Sequence, residues 1–150
     1  MRIFVSGSLA YDRVMGFPGK FKDHILPEKI HILNVSFTVE SLTENFGGTA
    51  GNIAYSLSLL EEHPIIIATA GASDFGRYQR WLERHELSLE GIRVVEGEFT
   101  AGAYITTDLS DNQITGFNPG AMKQRANYVV TAGEEPSLGI VAPGNAEDML

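Results

Sequence analysis

FGGTAGNIAYSLSLL, from Phe46 to Leu60, is the stretch that decides the architecture of this 150-residue chain. Ala50, Ile53, Ala54, Leu57 and Leu60 recur at helical spacing and predict a helix from about Thr49 to Glu62. Gly47 and Gly48 stand where a strand would hand over to that helix. Glycine tolerates positive φ and lets the backbone approach another group closely. A helix that opens there is expected to present free N–H groups and the positive end of its dipole. Asn52 lies in the first turn, where asparagine is a mediocre helix former. Its amide is therefore expected to hold something, either a ligand or nearby backbone.

Short apolar runs ending in glycine flank this junction: IFVSG from Ile3, IIIATAG from Ile65 and LGIVAPG from Leu138. Near-continuous Val and Ile runs suit strands covered on both faces of a parallel sheet. A second helix is predicted from about Asp74 to Glu86, with Phe75, Tyr78, Leu82 and His85 on one face. Ser73 or Asp74 would cap it. Strand, helix, strand, helix, strand is the order of an α/β layer protein.

Two regions break that order. Asn34 to Glu40 alternates, with Val35, Phe37 and Val39 against Asn34, Ser36, Thr38 and Glu40. Phe99 to Thr107 and Gln113 to Phe117 read as a β pair joined by the polar turn Asp108 to Asn112. Alternation marks strands with one wet face, so a small separate antiparallel sheet is expected, a flap placed where a lid would sit. Asn145, after Pro143-Gly144, is a good N-cap for a turn from Ala146 to Leu150. Five residues make no stable helix, so the chain is expected to stop one turn into its next one.

Composition narrows the function classes. A formal net charge of −8, with eleven Lys and Arg scattered rather than clustered, argues against nucleic acid as a partner. No cysteine means no disulfide framework and no thiolate chemistry, which suits the cytoplasm. The opening MRIFVSGSLAYD holds too short an apolar run for a signal peptide or a membrane-spanning helix. His24, His31, His63 and His85 lack metal-ligand spacing, so no metal site is expected. Asp74-Phe75-Gly76 spells a protein-kinase magnesium motif but lacks the HRD and Gly-rich loops that would give it meaning. Asp108 to Gln113 lacks the glycine and terminal Glu of an EF-hand.

A carboxylate completes the picture. GSLAYD, Gly7 to Asp12, leaves the first strand and places Asp12 among Ala10, Tyr11, Val14 and Met15. In that apolar setting it needs hydrogen-bond donors, which a polyol or a local turn would supply. Asp12, then a β flap, then GGTAGNIAYSLSLL, then AGASDFGRYQRWLERHEL from Ala70 resembles the N-terminal part of the PfkB, or ribokinase-like, carbohydrate kinases. Gly47, Gly48, Asn52 and Ala54 match that family's first signature; Gly71, Asp74, Phe75 and Gly76 fill a second place loosely.

The resemblance implies a three-layer αβα sandwich, incomplete here, within one domain over residues 1–150. Lid strands are expected at about 15–46 and 97–120. It is strongest toward bacterial adenosine-kinase-like members, whose matching residues line the substrate pocket: Ser8, Asp12, Ser36, Gly48, Asn52 and Phe117. Asp12 would bind sugar hydroxyls, Gly47, Gly48 and Asn52 would complete the ribose grip, and Phe117 would stack on a base or serve as flap core. Tyr104 and Met122 are weaker candidates for the same wall.

The implied activity is ATP- and Mg²⁺-dependent phosphoryl transfer to a hydroxymethyl group of adenosine or a related ribose-containing substrate. The family's second signature, a Gly-Ala-Gly-Asp-type loop supplying anion hole and base, is absent: no Gly-x-Gly-Asp occurs in the sequence. The chain alone is therefore expected not to turn over ATP, with its catalytic Asp and nucleotide-binding part lying beyond it. The reading from another class is a non-catalytic binding module, or a homodimer formed through Val35, Phe37 and Val39 of the flap.

Overall fold

The computed structural model describes every residue except Ala132, Glu134 and Leu150. Leu150, the last residue of the predicted C-terminal turn, thus lies outside the described residues. The described residues form two four-stranded sheets and two α-helices. Strands β1 (Arg2–Ser6), β4 (Ile65–Gly71), β5 (Ile92–Val95) and β8 (Ser137–Val141) make the first sheet, in the order β5-β4-β1-β8. Every pairing in it is parallel, with Phe4 opposite Ile65, Arg2 opposite Ser137 and Ala68 opposite Ile92. The three glycine-ended apolar runs are therefore neighbouring parallel strands.

Helices α1 (Thr49–Ser58) and α2 (Phe75–Arg84) pack on this sheet through one core. Ile3, Val5, Ile66, Ala68 and Ala70 meet Ala50, Ala54, Phe75, Tyr78 and Leu82 there. Both helices are shorter than predicted. The left-handed residues Glu61 (φ 62°) and Glu86 (φ 55°) close the turns that follow them, a stop written in backbone geometry rather than in a glycine. Asp74 occupies the N-cap position of α2, yet its carboxylate does not bond the helix. It accepts instead from Thr100 N (2.8 Å), because the chain before β6 (Ala101–Thr107) passes beside it. Asn145 does cap as predicted, accepting from Glu147 N at 3.0 Å.

The second sheet has the order β3-β2-β6-β7, from β2 (Ala10–Gly16), β3 (Ser41–Gly47), β6 and β7 (Gln113–Asn118). Two compact units divide the chain: residues 1–11, 46–102 and 118–150, and residues 12–45 with 103–117. The division falls inside all four strands of this sheet.

Within the smaller unit three expectations are corrected. Asn34 to Glu40 is not a strand; the strand is Ser41–Gly47. The alternation still has a cause, because residues 35, 37 and 39 are half-buried and their neighbours exposed. Phe37 packs on Phe17 (4.6 Å between centroids) and Phe21 (5.7 Å), so the segment is extended against an aromatic cluster without a ladder partner. Asp12 lies within a strand, β2, rather than on the exit of β1. The sheet is also mixed rather than antiparallel. Arg13 meets Tyr104 and Phe17 N meets Thr107 O, so β2 and β6 run the same way, being joined by no hairpin.

The β6–β7 hairpin turns around Asp108, as the polar run predicted. Burial works against charge on this carboxylate, but donors outweigh it: Phe21 N, the Asn112 side chain, Asn112 N and Ser110 N. Its pKa falls to about 2. The folded value lies below the unfolded value of about 4, so the stabilisation is complete above that pH and disappears as pH falls through about 2. Asp108→Asn should lower the urea midpoint at pH 7, and the gap to the parent chain should close between about pH 4 and pH 2. A gap of constant size across that window would remove the ionised carboxylate from the account.

Candidate functional site

The larger unit concentrates its loop chemistry where β1 ends and α1 begins. Gly48 precedes α1 with φ 90° and ψ 146°, a conformation that side chains resist. A Cβ there would lie 2.5 Å from Ser8 O, 2.7 Å from Ala10 N and 2.8 Å from Leu9 Cα. The di-glycine thus lets the chain after β1 press against the helix start. That close approach is filled by the protein itself rather than left for a ligand. Gly47 is buried, and its carbonyl accepts from Tyr78 Oη at 2.6 Å.

Ser8 closes the helix. Its hydroxyl accepts from Thr49 N (3.0 Å) and its carbonyl from Ala50 N (3.0 Å) and Gly51 N (3.4 Å), while Asn52 N reaches Gly48 O (3.0 Å). The first four amides of α1 are all engaged, which corrects the expectation of free N–H groups. Ser8, placed by resemblance on a substrate wall, is here the cap of the helix. Thr49 locks the arrangement: its hydroxyl accepts from Ser8 N (3.1 Å) and donates to Pro143 O (2.6 Å) on the loop after β8. Sequence reasoning passed over Thr49, although a hydroxyl one residue past a di-glycine was signal enough to examine it. Asn52 is exposed, and its side-chain amide meets no partner among the described residues. The alternative of an amide spent on nearby backbone is not what the fold does.

The smaller unit holds Asp12, Ser36 and Phe117. Arg13 Nε pairs with Glu44 at 2.8 Å, and Arg13 Nη1 donates to Tyr104 Oη at 3.2 Å, so these three side chains share one face across β3, β2 and β6. Alternation turns Asp12 to the opposite face. Asp12 is half-buried and has no hydrogen-bond or ionic partner among the described residues. Gln113 Nε2 donates to Thr107 Oγ1, which sets Thr107, Ala103 and, four residues on from Gln113, Phe117 on one face. The Arg13–Tyr104 match then puts Asp12 beside Ala103. Asp12 and Phe117 therefore share a face, two strands apart. Phe117 is 53 % exposed, which excludes a flap-core role. Ser36 is exposed on the unladdered segment. Tyr104 lies on the other face, under the Arg13 guanidinium, and Met122 lies in the larger unit with its carbonyl accepting from Asn145 Nδ2.

Structural comparison places this arrangement. The nucleoside kinase of Burkholderia thailandensis, solved in complex with inosine, matches 98 % of the chain at 42 % identity and a TM-score of 0.76. The nucleoside kinase of Methanocaldococcus jannaschii, described as an archaeal member of the ribokinase family, matches 99 % of it at 26 % identity and a TM-score of 0.79. The neighbours that the chain resembles are nucleoside kinases and ribokinases of the ribokinase/PfkB family. By sequence, a nucleoside kinase of M. jannaschii is 33 % identical over 98 residues, or 64 % of the chain. No family model matches. The chain spans 46 % of each of the two solved kinases, and its aligned part covers 32 % of the sequence relative. That extent is consistent with an N-terminal part of the family's fold.

Two substitutions test the junction. Gly48→Ala should cost about 1–3 kcal/mol by urea denaturation, since strained backbone and a backbone clash coincide. Thr49→Val should cost about 1–2 kcal/mol, and Thr49→Ser should recover most of it, because only the oxygen makes the bonds.

Proposed function

We propose that the chain is the substrate-gripping part of a nucleoside or sugar kinase, binding the hydroxyls of a ribose-containing substrate. The likeness to nucleoside kinases supports the class of reaction, transfer of the γ-phosphoryl group of ATP to a hydroxymethyl oxygen. The observation that carries the grip is a contrast, within each unit, between polar groups that are bonded and polar groups that are not. Ser8, Thr49, Arg13, Glu44 and Asp108 are all bonded within their own unit. Asp12 and Asn52 are left with unused bonding capacity among the described residues. A half-buried carboxylate without donors is costly unless a ligand supplies them, and sugar hydroxyls do so in pairs.

In this reading Asp12 accepts from hydroxyls and orients the sugar, and Phe117, on the same face of the smaller unit, offers its ring to a base; Asn52 is the candidate amide of the larger unit. These groups bind and position; none takes a proton from the nucleophile. ATP and Mg²⁺ belong to the family's reaction, and this chain's residues have no assigned role toward either. Among the described residues no three His, Asp or Glu gather to hold a metal ion. Nor is any helix among them long and apolar enough to cross a membrane. The dimerising alternative loses support because Phe37 is already packed on Phe17 and Phe21.

Isothermal titration of the chain with inosine and with ribose tests the grip. Asp12→Asn and Asn52→Ala should each weaken binding about tenfold or more while leaving the urea midpoint nearly unchanged. Unaltered affinity in both variants would refute the assigned roles.

A further inference from the structure

The pairings within the smaller unit fix more than the place of Asp12. Arg13 with Glu44, and Gly16 N with Ser41 Oγ (3.2 Å), set β3 antiparallel to β2 and bring Asn45 opposite Asp12. Arg13 with Tyr104 brings Asp12 beside Ala103 on β6. Asp108 N to Asn112 O (3.0 Å) sets the hairpin register and brings Ala103 opposite Phe117 on β7. One row of side chains therefore crosses the sheet on a single face: Asn45, Asp12, Ala103, Phe117. It reads amide, carboxylate, methyl, aromatic ring.

From this row we propose a nucleoside-reading shelf in which Asn45 joins Asp12 on the sugar hydroxyls and Ala103 selects nucleoside over free sugar. The proposal rests on the kinase reading above and narrows its substrate class. Strands lie about 4.8 Å apart, so the carboxylate and the ring stand on strands roughly 10 Å apart, with one methyl group between them. A nucleoside is built with the same polarity: hydroxyls at one end, an aromatic plane at the other, and no polar group needing a partner at the glycosidic junction between. Side chains stand roughly perpendicular to a sheet, so any larger residue at position 103 would rise into that junction. Asn45 is exposed and, among the described residues, its amide has no partner, which suits it to share the hydroxyls with Asp12. Phe117 at 53 % exposure has no ring partner among the described residues, whereas Phe17 and Phe21, in the same unit, stack on each other at 5.6 Å. A free sugar would engage only the Asn45 and Asp12 end and would not sense position 103.

The test is a graded series, Ala103→Gly, →Val and →Leu, titrated calorimetrically with inosine and with ribose beside Asp12→Asn and Asn45→Ala. Circular dichroism verifies folding of each variant, and Val serves where Leu fails to fold. Inosine affinity should hold in the Gly variant and fall at least about tenfold toward Leu, with ribose affinity constant within about twofold. Asn45→Ala should weaken both ligands. Equal loss of both ligands along the series, or no loss of either, overturns the shelf while leaving the grip intact if Asp12→Asn still weakens the binding of both ligands. An Asp12→Asn variant that binds both ligands as the parent does overturns the grip itself, and the shelf with it.

Discussion

The backbone at Gly48 is the constraint on which the larger unit depends. Its φ of 90° sends the chain out of β3 and straight into α1, and the missing Cβ lets residues 8–10 run against the turn. Only because that approach is so close can Ser8 hand its hydroxyl and carbonyl to three helix amides. Thr49 then binds the loop after β8 to the same point, and a Cβ at Gly7 would meet its hydroxyl at 2.6 Å. Three segments distant in sequence are fixed at one corner by a handful of hydrogen bonds. Asn52, one helical turn on, inherits that rigidity.

Rigidity of this kind separates the structural polar groups from the available ones. A buried hydroxyl or amide without a partner costs on the order of 1–3 kcal/mol, so a fold normally spends such groups internally. The chain does so at Ser8, Thr49, Thr69, Thr100 and Asp108. Asp74 is a partial exception, with one carboxylate oxygen bonded to Thr100 N and the other buried without a partner. Among the described residues Asp12, Asn45 and Asn52 have no side-chain partner, and they stand in more open positions where water can serve them.

The parallel strands and both helices were legible because apolar period reports burial directly, and burial is what a regular element with a covered face requires. The same logic misled at residues 34–40. Alternation there did report which side chains turn inward, but hydrogen-bond pairing needs a neighbouring strand, and the aromatic rings of Phe17 and Phe21 occupy that role instead. β2 was missed because Ala10 to Gly16 mixes Tyr, Asp and Arg without a clean pattern: its two faces serve a packed ion pair and an open carboxylate. Gly47, Gly48 and Asn52 stood out by residue type. Thr49 did not, because a threonine entering a helix is ordinary until Pro143, 94 residues away, is known to lie beside it.

A glycine pair ahead of a helix invites comparison with phosphate cradles, in which loop amides and a helix N-terminus point at an anion. The resemblance stops at composition. A cradle needs unsatisfied N–H groups, and here Thr49, Ala50, Gly51 and Asn52 have each given theirs to Ser8 or Gly48. The basic side chain nearest Asp12 in sequence, Arg13, is committed to Glu44 and Tyr104 on the other face of its strand. The same di-glycine geometry thus serves different ends according to where the first helix amides are spent; here they are spent on Ser8 and Gly48, and the junction serves to lock the helix start to the chain leaving β1.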